Sequence, residues 1–205
     1  MARDTQPIAK QSRREGYALH PKAHKILARK SGAPGQSAGG FKGKSGLYLT
    51  QLREKQKVRR IYGLLEKQFA RLMREAERAQ GMSGENLLRF LEQRADNVAY
   101  RAGFAVSRRA SRQLVSHGHF LLNGRRIDVP SIRLVPGDVL EVRPKSAKTE
   151  YFKHLNDVVA STSLAPLSWL KSDVSKMKVE ITGLPKREEA EVGINEQLIV
   201  EFYSR

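Results

Sequence analysis

Apolar residues recur along this chain with two different periods, and the changeover divides it. From Leu49, and strongly from Ile61, the positions Ile61, Leu64, Leu65, Phe69, Leu72, Met73 and Ala76 return at three- and four-residue steps among Arg and Glu. That spacing predicts an amphipathic helix that stops near Gly81. Ser83 then suits the N-cap of a second helix bearing Leu87, Leu88, Leu91, Ala95 and Val98 and ending at Gly103. Ser107 suits another, for a short helix from Arg108 to His117 with Ala110, Leu114 and Val115 inward and Gly118 at its end.

After Gly118 the period drops to two. Phe120-Leu121-Leu122 and Ile127 flank Asn123-Gly124, the dipeptide best suited to positive φ in a type I′ turn, which predicts a tight hairpin. Ile132 to Val135, Pro136-Gly137-Asp138 and Val139 to Val142 read as a second strand, turn and strand. Lys145 to Ala165 reads as a helix plus loop, and Lys178 to Ile181 and Leu198 to Tyr203 as two late strands. The stretch from Arg29 to Gly46, dominated by Gly, Ser, Ala and Lys, buries too little to fold alone and reads as an arm that orders against a partner. The expected architecture is α+β. An extended basic N-terminal arm covers 1–46; a mainly helical domain covers 47–93 and is completed by 156–205; a small α+β module is inserted at 94–155.

Charge turns this outline toward a partner. The 205 residues carry 38 Lys and Arg against 21 acids, a net +17 and a pI near 10.4, which points to a polyanion. Residues 1–60 hold 15 of the cations and 3 of the acids, leaving 23 and 18 for the rest, so the grip is concentrated early. No apolar run approaches the length of about 18 residues that a membrane span needs, so a membrane partner is not expected. The polar start from Met1 to Lys10 lacks the apolar segment of a secretion signal, and a cytoplasmic address is expected. There is no cysteine, which removes disulfides, thiolate nucleophiles and cysteine zinc sites together.

Two segments concentrate the candidate chemistry. Between Gln51 and Gly63, Arg53, Lys55, Lys57, Arg59 and Arg60 are accompanied by one acid, Glu54, and suit phosphate neutralisation. Between 107 and 126, Arg108, Arg109, Arg112, Arg125 and Arg126 stand with no acid at all. Arg108 and Arg109 oppose the helix macrodipole, a conflict that a phosphate at the exposed N–H groups removes. The tip Asn123-Gly124-Arg125-Arg126 presents two more guanidinium groups to the same backbone. Tyr17, Phe41, Tyr48 and Tyr62 are interleaved among the cations and are candidates for stacking on unpaired bases; Tyr62 suits the edge of the helical core better. His117 with His119, and His20 with His24, have spacings a metal can use, but no third ligand cluster accompanies either. They read as RNA-facing or surface imidazoles. No Gly-rich phosphate loop, nucleophile elbow or paired-carboxylate site stands out. Neither catalysis, cofactor nor small-molecule substrate is expected.

Several motifs in order carry a resemblance: Ser12-Arg13-Arg14-Glu15-Gly16, Ala33-Pro34-Gly35-Gln36, Gln51 to Gly63, Asn86-Leu87-Leu88, Arg94 to Gly103, Ser107 to Arg126, Pro136-Gly137-Asp138 and Ile194 to Arg205. Over nearly its whole length the chain resembles the bacterial small-subunit ribosomal protein S-four family. The resemblance implies a primary binder of small-subunit ribosomal RNA that nucleates assembly of the subunit body and contributes to translational accuracy with neighbouring ribosomal proteins. It adds Arg13, Arg14, Pro34, Gly35, Gln36, His117 and His119 to the RNA-binding set. It also implies that the arm around Lys42 and Lys44 approaches messenger RNA on its path into the subunit. Asn195, Glu196, Gln197 and Tyr203 are expected beside a neighbouring protein. Many relatives hold the arm with a cysteine-bound zinc; Ala9 and Ser12 stand where the first two cysteines would fall, so no metal is expected. Ser37 follows Gln36 where relatives usually have His. The alternative is an RNA chaperone or RNA-modifying protein using the same module. A pseudouridine synthase, however, needs a catalytic domain larger than the segment after 155.

Overall fold

A computed structural model of the chain describes residues 4–30, 32–35, 46–155, 157 and 167–204. Two compact units emerge, one formed by Met1–Leu87 with Glu191–Arg205 and the other by Leu88–Ala190. The fold is α+β, as the changing period requires.

The first unit is helical. It contains α1 (Ile8–Glu15), α2 (Ala23–Arg29), α3 (Leu47–Ile61), α4 (Glu66–Arg78) and the start of α5 (Ser83–Glu92), with α10 (Glu196–Tyr203) returning to lie along α3. The stretch expected as an extended arm is therefore helical over much of 8–29, and α1 packs on both α2 and α3. The single helix expected from Leu49 to Gly81 is two. Gly63, at φ 65°, takes the left-handed conformation, and the N–H groups of Gly63 and Leu64 donate to the carbonyls of Arg60 and Arg59 at 3.2 and 2.9 Å. This is a Schellman motif, closed by the buried Leu64. It turns the chain so that Phe69, Met73 and Ala76 of α4 enter the core. The expected strand from Leu198 to Tyr203 is instead part of α10. Asn195 caps that helix through its Oδ1, which accepts from the Gln197 N–H at 3.1 Å, and Glu196 favours the first turn.

The second unit wraps α6 (Ala95–Arg101) and α7 (Arg108–Ser116) onto one antiparallel sheet. Its strands are β1 (Phe120–Leu122), β2 (Arg125–Ile127), β3 (Val139–Val142), β4 (Leu170–Asp173) and β5 (Lys178–Ile181), in the order β2-β1-β3-β5-β4. Two short helices, α8 (Pro144–Ala147) and α9 (Glu150–Lys153), follow β3. The expected helix from Ser83 to Gly103 breaks at Gln93 and Arg94. There the backbone turns extended to pair with the 132–134 segment, Leu134 N–H donating to Gln93 O at 2.9 Å and Ala95 N–H to Ile132 O at 2.8 Å. Ile132 to Val135 itself forms only an isolated bridge at Arg133. The module does not close at 155: β4 and β5 extend its sheet, with Leu140 opposite Val179 and Leu170 opposite Ile181. Phe104, Val115, Phe120, Leu140, Phe152, Trp169, Val179 and Ile181 form its core. Each such side chain contributes roughly 1.5–3 kcal/mol on burial.

The hairpin is built as its dipeptide predicts, with Leu122 opposite Arg125 and φ of 50° at Asn123 and 78° at Gly124. What the pattern did not disclose is its anchor. Asn123 Nδ2 donates to Asp138 Oδ1 at 2.8 Å, Asn123 Oδ1 accepts from Val139 N–H at 2.9 Å, and Asp138 Oδ2 accepts from Val135 N–H at 2.8 Å. The two turns are thereby tied together across the sheet. Asp138→Ala removes two of these hydrogen bonds and is expected to cost about 1–3 kcal/mol. Urea unfolding checks this, and an unchanged midpoint would show that the tie does not hold the tip.

Candidate nucleic-acid interface

The structure sorts the candidate cations by what already holds them. In the α3 run all five have protein partners within the first unit. Arg53 and Arg60 converge on the Oε1 of Glu15, whose side chain is fully buried; Arg53 lies at 3.3 Å. Lys55 is only 4% exposed. Its Nζ donates to Glu66 Oε1 at 2.7 Å and lies 4.5 Å from the Phe202 ring centre. Lys57 donates to Gly193 O at 2.7 Å and pairs with Glu54 at 2.8 Å. Arg59 donates to Gln56 Oε1 at 2.9 Å and sits 3.8 Å from Glu66. Burial would raise the pKa of Glu66, but hydrogen bonds from Lys55 and Tyr203 outweigh it and hold the carboxyl below its ordinary range. Tyr62 is 4% exposed, so its ring belongs to the core and offers no face for a base. Of the five cations, Arg53 keeps the most open side chain, at 39%.

Near the N-terminus, Arg13 donates through Nε to Gly32 O at 3.0 Å and through a terminal nitrogen to Ala33 O at 3.3 Å, fixing the short segment before Pro34 and Gly35. Arg14 and Gly35 are exposed, and Pro34 is partly so. Gln36, Lys42 and Lys44 lie outside the described residues. Cysteine-bound zinc does not fit this chain: it has no thiolate, and Ser12 is buried with its hydroxyl accepting from the Leu19 N–H at 3.4 Å. At the other end, Asn195, Glu196 and Tyr203 work inside the first unit. Asn195 N–H donates to Glu54 at 2.8 Å, Glu196 fills the space beside Gly84, and the Tyr203 hydroxyl donates to Glu66 at 2.8 Å. Burial and that hydrogen bond push the Tyr203 pKa up, so the phenol keeps its proton. Gln197 is exposed.

In the second unit a buried network aims the start of α7. Ser107 caps the helix, its Oγ accepting from Ala110 N–H at 3.3 Å. Ser111 Oγ donates to Asp96 O at 2.5 Å and fastens α7 to α6. Arg94 grips Asp96 with two parallel hydrogen bonds of 3.0 and 2.8 Å, and Arg112 approaches the same carboxylate at 3.7 Å. Arg101 binds Glu92 in the same forked way, at 3.1 and 3.0 Å. Asn97 donates to Glu92 at 2.7 Å and accepts from Arg108 Nε at 2.8 Å, and the Arg108 guanidinium lies 4.7 Å over the Tyr100 ring. Arg108 and Arg112 are thus half-buried and oriented, and Arg109 between them is exposed.

A second cluster surrounds Gly118. The Arg126 guanidinium lies so close to this glycine that a methyl group there would overlap it. Arg143 donates its backbone N–H to His119 O at 2.9 Å and points its side chain to Gly118 O at 3.5 Å. The His117 and His119 rings are 6.1 Å apart, and His119 Nδ1 is 3.0 Å from Ser146 Oγ. Arg125, Arg126, Asn123, Gly124 and His117 are all exposed, although the Asn123 side chain is committed to Asp138. The cluster gathers His117, His119, Arg126 and Arg143, and the charges acting on His119 are all positive. A nearby anion would offset the repulsion within such a cluster. Arg143, Glu92, Asn97 and Asp96 carried no sequence signal of a role, because only the fold brings them to these cations.

Comparison with known proteins agrees with this geometry. Residues 3–92 match the family described as Ribosomal protein S4/S9 N-terminal domain, and residues 93–140 match the S4 domain. A chain with two such domains is of the ribosomal, RNA-binding class. Curated relatives named small ribosomal subunit protein uS4 are 49% identical over 211 residues in Herpetosiphon aurantiacus, 46% over 206 in Chlorobium phaeovibrioides and 47% over 207 in Chloroflexus aurantiacus, each aligned over the whole of both chains. The chain belongs to the uS4 family of small-subunit ribosomal proteins.

Burial, then repulsion from His117, Arg143 and Arg126, pulls the His119 pKa below its usual value of 6.5. The folded protein therefore binds fewer protons at this site than the unfolded chain. Its stabilising contribution is present above about pH 6.5 and is lost as pH falls through the lowered value. Between about pH 7.5 and pH 5, the urea midpoint of the wild type is expected to drop further than that of His119→Asn. An equal drop would clear His119 of the effect.

Proposed function

We propose that this protein is a structural constituent of the small ribosomal subunit that binds small-subunit ribosomal RNA within the cytoplasmic ribosome. It acts by neutralising phosphates and by matching the shape of a folded RNA, and it takes part in no chemical step. The observation that carries the reading is the placement of Arg109, Arg125, Arg126, His117, His119 and Arg143 on one S4-type unit, held by α7, the β1–β2 hairpin and the end of β3. Backbone phosphates are met by Arg and by helix N-termini, and such contacts position a protein without reading bases. The relatives' name supports this role, and it supports neighbouring small-subunit proteins as partners.

The finer parts of the reading are nucleation of the subunit body and a contribution to translational accuracy. Arg53, Arg13 and Arg14 extend the RNA surface on the helical unit, with Lys55, Lys57, Arg59 and Arg60 shaping it from within. Messenger RNA near Lys42 and Lys44, and a neighbouring protein near Gln197, complete the set of partners. No helix among the described residues is long and apolar enough to cross a membrane.

Co-sedimentation tests the reading. Wild-type protein is expected to remain with small subunits through a high-salt wash, and the triple change Arg109→Gln, Arg125→Gln, Arg126→Gln to be released at lower salt, since each phosphate contact carries about 0.7–0.9 of log–log salt slope. Retention of the variant to the same salt concentration would remove this surface from the RNA grip.

A further inference from the structure

Lys67, Arg71, Arg74 and Arg78 lie four, three and four residues apart on α4. At 100° per residue they share an arc of about 60°, and at 1.5 Å per residue the row runs about 16 Å. All four are exposed, on the side of the helix opposite the buried Phe69, Met73 and Ala76. Arg71, Arg74, Glu75 and Arg78 line a groove of about 400 Å³. Glu75 brings one negative charge among these three arginines.

The contrast with α3 is the informative part. There each cation is matched by a carboxylate, a carbonyl or a side-chain amide. On α4 the hydrogen bond given by Arg74 goes to Ala70 O of its own helix, at 3.4 Å. Lys67 with Arg71, Arg71 with Arg74, and Arg74 with Arg78 are three successive like-charge neighbours at i+4 or i+3, each of which destabilises a helix standing alone. A strand of phosphates laid along the row adds attractions that offset all three repulsions. Arg, which supplies three of the four cations, takes a phosphate with two parallel hydrogen bonds. An acidic protein partner fits less well. Protein interfaces are organised around a buried apolar and aromatic centre, and the arc holds no apolar side chain.

We propose that this face of α4 is a further RNA-binding surface, along which one phosphodiester strand runs past Lys67, Arg71, Arg74 and Arg78. The proposal rests on the RNA-binding reading above and adds a surface to it. It is tested with the full chain by measuring affinity for small-subunit ribosomal RNA across a salt series. Arg71→Gln, Arg74→Gln, Arg78→Gln together are expected to lower the log–log salt slope by about two to three. The circular dichroism should stay that of the wild type, because exposed Gln is a good helix former. Lys171→Gln, Lys176→Gln, Lys178→Gln remove the same charge from β4, β5 and the turn between them and are expected to leave the slope unchanged. An unchanged slope in the α4 variant, or an equal loss in the β4–β5 variant, overturns the proposal. An α4 variant that binds RNA as the wild type does but fails to enter small subunits assigns the face to a protein partner and also overturns it. If Arg125→Gln, Arg126→Gln likewise bind as the wild type, the RNA reading itself has failed, and not this surface alone.

Discussion

A chain with seventeen unbalanced positive charges must keep its cations from expelling one another before any polyanion arrives. A few shared carboxylates do this. Glu15 serves Arg53 and Arg60, Glu66 serves Lys55 and Arg59, and Asp96 serves Arg94 and Arg112. Each is buried or lies beside buried cations, where an unpaired charge would cost several kcal/mol. Acids placed this way settle which cations become part of the fold and which remain for a partner.

The division has a consequence for binding. Cations held by carboxylates have their charge and donors already committed within the fold, so they shape a surface more than they grip a polyanion. Arg108 is an intermediate case: its Nε is committed to Asn97 and its plane to Tyr100, while it stands half-buried in the first turn of α7. Arg109, Arg125 and Arg126 are exposed, and on the proposed reading they are the cations left to meet phosphates. The cluster at Gly118 adds His119, just before the hairpin, and Arg143, which reaches it from beyond β3.

Much of this was legible before the structure. Caps and turns are local, so Ser107, Gly118 and Asn123-Gly124 act as their residue types predict. The Schellman end at Gly63 was equally local, but a strong helical period ran across the glycine and hid it. The break at Gln93 and Arg94 had no local sign, because it follows from pairing with residues some forty positions later. The strand pattern of Leu198 to Tyr203 was overridden by the Asn195 cap and by packing on α3. Charge density located both candidate segments. It could not tell Lys55, enclosed by Glu66 and Phe202, from Arg109 in the open.

Arginine reactivity, read residue by residue by mass spectrometry in the free protein and in its complex with small-subunit ribosomal RNA, tests the central division most directly. Arg94, Arg101 and Arg60 should resist modification in both states, and Arg109, Arg125 and Arg126 should react when free and be protected when bound. Arg125 and Arg126 remaining fully reactive in the complex, or Arg94 and Arg101 reacting freely without RNA, would contradict the account.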